Sequence, residues 1–150
     1  MLVRLSTLLN PVITPILRSR LHWLLSTGLM LITVTGRKTG RRYTIPVGYH
    51  QVADAIVILV SDAPSKTWWR NFRSAAPIEL WLHGTRRHGH ARVLPPGSEE
   101  FRRRADASFR RARLIPWIFG VDYDRRTGLI DAQLRQLGEH AAIVEVSVAT

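Results

Sequence analysis

The sequence predicts an α+β fold that is mainly β, a small antiparallel barrel of about six strands with peripheral helices. Three observations lead there. Short β-rich runs bounded by Gly, Pro and polar residues recur along the chain, most of them are spaced as hairpins, and the helix-like stretches fall at the ends and between hairpins instead of alternating with strands. With 150 residues, 45% of them hydrophobic and 22% charged, the chain has globular composition and the length of one domain over 1–150.

Residues 1–26 read as an N-terminal amphipathic helical segment. Leu5, Leu8, Leu9, Val12, Ile13, Ile16 and Leu17 recur at spacings of three and four, so they share a face, with Arg4, Arg18 and Arg20 among the polar positions. Pro11 and Pro15 interrupt the apolar stretch and no small-residue cleavage signature follows, which argues against a secretory signal. The apolar run from Leu24 to Val34 falls short of the roughly 20 residues that cross a bilayer. The expected location is the cytoplasm, with docking at the inner face of the cell membrane as the alternative.

Strands are expected over 29–35, over 43–50 with Pro46 marking an edge or a bulge, and over 55–61 as a continuous buried run. A connection around Ala53 and Asp54 joins the last two. A loop at 62–66 leads to a short helix over 67–74, and a hairpin around Gly84 pairs 78–83 with 87–94. Ser98 is placed as the N-cap of a helix running to about Arg113, with Glu99 and Glu100 in its first turn. Residues 115–124 read as irregular and aromatic, 129–137 as a short helix, and 141–148 as a closing strand.

Lys plus Arg number 22 against 11 Asp plus Glu, a net charge of +11 that favours an anionic partner. All but Lys38 and Lys66 of these cations are Arg, a bias that genome composition alone produces, so the sign of the charge says more than its chemical flavour. The chain has no cysteine, which excludes disulfides, thiolate catalysis and Cys-based zinc sites. His83, His88 and His90 cluster in one hairpin, but no carboxylate lies between Glu79 and Glu99 and Arg86, Arg87 and Arg92 repel a cation, so no metal is expected. Nucleic acid has only the charge in its favour, with neither a recognition helix nor an aromatic sheet motif, and is not an expected partner.

The segment Gly36-Arg37-Lys38-Thr39-Gly40-Arg41-Arg42 is richest in chemistry. Its two glycines permit close approach of backbone amides to a ligand, and a guanidinium, an ammonium and a hydroxyl between them all donate to phosphate. It is not a P-loop, because the Gly-Lys-Ser/Thr ending is missing and the glycines are four apart. A tight, solvated turn with incidental charges is the plain alternative.

The stretch Leu31-Ile32-Thr33-Val34-Thr35-Gly36-Arg37-Lys38-Thr39-Gly40, followed by Pro46, resembles the signature of the deazaflavin (F420)-dependent nitroreductase and quinone reductase family. A second block, Trp68-Trp69-Arg70-Asn71-Phe72-Arg73 and then Pro77, is similar to that family's Trp-Tyr-x-Asn-Leu-x-Ala-x-Pro segment. The likeness spans roughly residues 8–96. It implies a split β-barrel of the FMN-binding type, holding reduced coenzyme F420 and passing a hydride to a quinone, a nitroaromatic or a similar small-molecule acceptor. FMN is the second choice of cofactor. By position Arg37, Lys38, Thr39 and Gly40 would hold the phosphate, Pro46, Val60 and Ser61 would lie near the ring, and Trp68 and Asn71 would close the groove. Tyr43 stands where many members have Arg, which leaves Arg41 or Arg42 to substitute.

No catalytic dyad is evident, and hydride transfer from a deazaflavin needs little acid–base machinery. Ser61 is a weak catalytic candidate, as is Tyr123, whose phenol could donate to a developing oxyanion. The rival function is a non-catalytic split barrel that carries a hydrophobic ligand such as a fatty acid, haem or flavin. Exposed strand faces make a homodimer a further expectation, and an anionic membrane surface is the alternative use of the basic helices.

Overall fold

Two strands separated by one residue stand at opposite ends of a single sheet, and that connection makes the sheet curl. The computed structural model describes residues 28–53 and 55–149, so the expected helix over 1–26 and Asp54 lie outside the described residues. The strands are β1 (Leu29–Thr35), β2 (Arg42–Gly48), β3 (His50–Val52), β4 (Ala55–Val60), β5 (Ala76–Leu82), β6 (Thr85–Val93) and β7 (Ala142–Val148). They pair antiparallel throughout in the order β2-β1-β5-β6-β7-β4-β3. Because β2 and β3 are linked through Tyr49 alone, the two ends of this order must approach each other, and the sheet forms a curled half-barrel.

This differs from the expected single strand over 43–50, and it raises the count from about six strands to seven. β2 gives its hydrogen bonds to β1 and β3 gives its own to β4, so the chain changes partner at Tyr49. The cause is closure of the barrel, a long-range requirement for which Gly48 beside the break is the one local mark. Pro46 does sit on an edge strand, opposite Leu31, where its missing N–H costs no ladder bond.

β4 is apolar on both faces for a visible reason, and β7 shares it only in its first residues. Ile56, Ile58 and Val60 of β4, with Ala142, Val144 and Val146 of β7, point into the barrel, where Ile32, Val34, Leu80, Trp68 and Phe72 join them. Val57 and Ile143, on the opposite face, meet Leu94, Phe101, Ala105, Phe109, Leu134 and Leu137 beneath the helices. Alternate residues of β4 therefore serve two cores, which turns the usual alternation into a continuous apolar run, whereas β7 places Glu145 and Ser147 on its outer face.

The helices are α1 (Glu99–Arg111), α2 (Leu114–Ile118) and α3 (Asp131–His140). Ser98 caps α1 by accepting the Phe101 N–H at 3.1 Å, and the acids in the first turn and Arg110 and Arg111 in the last both suit the helix dipole. α1 stops two residues before the expected Arg113. α2 lies where an irregular segment was expected; its Pro116 is third in the helix, where an N–H has no intrahelical acceptor to lose. Arg104 of α1 donates to Glu145 of β7 at 2.7 Å, and Glu145 also accepts from Arg92 at 3.1 Å, so an ion-pair network fastens α1 to the sheet. His50 Nε2 lies 2.5 Å from Ser108 Oγ, which itself donates to the Arg104 carbonyl at 2.6 Å. Among the described residues no helix is long and apolar enough to cross a membrane.

Candidate functional site

The basic glycine loop joins β1 to β2 and is folded on itself. The Gly40 amide donates to the Gly36 carbonyl at 2.9 Å, the Gly36 amide donates to the Arg41 carbonyl at 2.9 Å, and the Arg41 amide donates to Thr39 Oγ1 at 3.3 Å. Gly40 has φ +67°, the left-handed conformation that favours glycine at this turn. These bonds leave the amides of Lys38 and Thr39 without an acceptor among the described residues. Arg37, Lys38 and Arg41 are exposed, and none is ion-paired among the described residues. Two adjacent free amides and three uncommitted cations fit an oxyanion such as a phosphodiester.

The loop is braced from outside by one residue. Asn71 Oδ1 accepts the Arg37 N–H at 3.0 Å, while Asn71 Nδ2 donates to the Trp68 carbonyl at 2.9 Å. Asn71 thus ties the second residue of the loop to the 3-10 segment Trp68–Phe72, which is anchored in the barrel core. Tyr43 stands against this brace. Burial holds its phenol above its ordinary pKa, and a hydrogen bond with Asn71 opposes that shift.

The two tryptophans part company, as adjacent helical positions must. Trp68 is buried in the barrel and meets Phe72 edge-on with ring centroids 6.5 Å apart. Trp69 turns outward, donates its indole N–H to the Ala63 carbonyl at 2.8 Å, and lies between Arg70 and Arg73, whose guanidiniums are 5.5 and 5.3 Å from its ring. These three side chains line a cavity of about 490 Å³, floored by Val93, Leu94 and Ala142. The tryptophan facing open space is therefore Trp69, and Trp68 reaches the surface little.

Ser61 follows β4 at the mouth of a smaller cavity of about 270 Å³, shared with Asp62, Ile118, Phe119 and His140. Lys66 Nζ donates to Ser61 Oγ at 3.5 Å. Burial lowers the Lys66 pKa from its ordinary value, and the nearby Asp62 charge opposes that. Sequence reasoning passed over Lys66, although a lysine in a chain whose cations are otherwise nearly all Arg was a signal.

Other expected residues are placed less openly. Arg42 turns toward Glu79 and pairs with it at 3.2 Å, so of the two arginines after the second glycine Arg41 is the one without an ion pair among the described residues. Val60 is buried, with its side chain in the barrel core and its backbone paired with Ala142. The Tyr123 hydroxyl accepts from Arg110 Nε at 3.1 Å and donates to Asp106 Oδ1 at 3.1 Å, while its ring meets Phe109 edge-on at 5.3 Å. Tyr123 thereby braces α1 against the following loop, with its hydrogen bonds already used. The glycine loop and Asn71 are in direct contact, while Pro46 lies on the strand that follows the loop, Ser61 just after β4 and Tyr123 after α2.

A family model described as F420H(2)-dependent quinone reductase matches residues 20–113. Comparison with curated proteins finds no match. Among solved structures, an F420-H2 dependent reductase (FDR-A) aligns with TM-score 0.54 and 15% identity, over 79% of this chain and 93% of that one. HutZ, the heme storage protein from Vibrio cholerae, aligns with TM-score 0.51 and 17% identity, over 95% and 91%. The FAD and heme binding protein from Mycobacterium smegmatis aligns with TM-score 0.50 and 18% identity, over 88% and 67%. At these identities the likeness to solved structures is one of fold.

Proposed function

The chain belongs to the F420H(2)-dependent quinone reductase family, and on that premise we propose that it carries reducing equivalents from F420H2 to a quinone-like or nitro-type acceptor. The observation that supports this reading best is the glycine loop, where among the described residues the amides of Lys38 and Thr39 have no acceptor and Arg37, Lys38 and Arg41 have no ion pair, and which Asn71 braces.

When bound, the reduced deazaflavin supplies a hydride. The chain's part is to bind and orient. Arg37, Lys38, Arg41 and the loop amides would hold the cofactor's phosphodiester, and the +11 charge of the chain draws its acidic tail from solution. Asn71 keeps the loop in the conformation that presents those donors, so little ordering remains to be done on binding. Pro46, Val60 and Ser61 are the proposed neighbours of the ring. Trp69, more exposed than Trp68, would flank the groove. Ser61, hydrogen-bonded to the depressed Lys66 ammonium, is the group best suited to hold a proton near an acceptor oxygen.

The test is anaerobic mixing of the protein with F420H2 and menadione, followed by the return of the oxidised cofactor's absorbance. Acceptor-dependent oxidation supports the proposal. Binding of F420 without reduction of any quinone or nitro compound moves the reading to the carrier alternative.

A further inference from the structure

We propose that α2 and the loop after it form a docking surface for an anionic phospholipid bilayer, separate from the glycine loop. The first observation is apolar exposure. Leu114, Trp117 and Ile118 of α2 are 61%, 70% and 41% exposed, while buried Pro116 and partly buried Ile115 and Phe119 fix the turn to the helical core. A tryptophan presented this openly beside two large aliphatic side chains is costly in water and suited to the boundary between headgroups and acyl chains.

Charge is the second observation. Arg113 precedes α2, and Arg125 and Arg126 follow in the next loop; all three are exposed and without an ion pair among the described residues. Arg113 and Arg125 border a cavity of about 680 Å³ that opens beside Trp117. Asp122 and Asp124 face the same cavity, and Asp124 Oδ1 is engaged by the Arg126 N–H at 2.8 Å. Arg110 and Arg111 lie nearby but are committed, to the Tyr123 hydroxyl and to the Gln51 carbonyl. Cations flanking an apolar tip match an anionic headgroup layer over an acyl interior, and neither a neutral surface nor a basic partner offers that complement. Ile118 also lines the cavity that holds Ser61, so the surface borders that part of the molecule.

The test uses full-length protein with vesicles of phosphatidylcholine alone and vesicles that include phosphatidylglycerol. Sedimentation should show binding to the second kind only. Arg113→Ala/Arg125→Ala should weaken it by about 25-fold, roughly fivefold for each cation. Leu114→Ala/Trp117→Ala should weaken it by about tenfold or more. Trp117→Phe should retain binding yet lose most of the tryptophan quenching by brominated lipid. All these side chains are exposed, and an unchanged thermal melt verifies that the variants fold. Quenching that persists in Trp117→Phe, or binding that survives the double substitutions, would place the lipid contact elsewhere and overturn the proposal. Self-association that α2 substitutions abolish, without vesicle binding, would overturn it in favour of a second copy as the occupant.

Discussion

Replacing Asn71 by Ala should loosen the glycine loop and weaken F420 binding by about as much free energy as it removes from the stability of the fold. The substitution removes the hydrogen bond from the Arg37 amide at 3.0 Å and the one to the Trp68 carbonyl at 2.9 Å. Each is worth about 1 kcal/mol, and the exposed Arg37 amide recovers part of its loss by binding water, so the total is about 1–2 kcal/mol. In urea this is a midpoint shift of roughly 0.5–1 M. Freed from its brace, the loop must be ordered by the cofactor. At about 1 kcal/mol for each backbone residue fixed, one or two residues cost affinity about 5- to 30-fold. Fluorescence titration with F420 beside urea unfolding measures both. In the Arg37→Ala/Lys38→Ala background, Asn71→Ala should add little further loss of affinity, because the groups it positions are gone. If stability falls as calculated and F420 affinity is unchanged in the otherwise native chain, the loop is not positioned by Asn71 for binding and the reasoning fails.

Two further predictions concern the scaffold. A Cβ on Gly89 would lie 2.5 Å from the Ser147 carbonyl oxygen, so Gly89→Ala must push β6 from β7; a loss of roughly 1–3 kcal/mol or more is expected in urea, and an unchanged midpoint would contradict that close approach. Folded His50 has its pKa lowered to about 4, chiefly by burial and also by the Arg111 and Arg104 charges, against an ordinary 6.5. The unfolded chain therefore takes up this proton first, and stability present above about 6.5 is lost as pH falls from there toward 4. Unfolding midpoints across that window should slope with pH, and His50→Gln should flatten the slope; an equal slope in the variant would assign it to other groups.

Much of this was legible in the chain because the signals are local. The β4 run, the hairpin around Gly84, the Ser98 cap and the edge position of Pro46 each follow from a few neighbouring residues. The break at Tyr49 does not, since it arises from the return of β3 to β4 on the far side of the barrel. Adjacent helical positions required Trp68 and Trp69 to face apart, but only the packing of Phe72 and the barrel interior decides which goes inward. Asn71 was visible as a motif residue; that both its polar ends are spent on the loop and the 3-10 segment depends on a contact across 34 positions. Arg42 and Tyr123 were plausible donors by type. Their charge and hydrogen bonds go instead to Glu79, and to Arg110 and Asp106.

The central claim is that an F420-dependent reductase grips its cofactor's phosphate with the loop at 36–41. Titration of the purified chain with F420, alongside Arg37→Ala/Lys38→Ala, tests it most directly. The account predicts tight binding that weakens with salt in the native chain and largely disappears in the variant. Equal affinity in both, or tight binding of FMN or haem with none of F420, would contradict it.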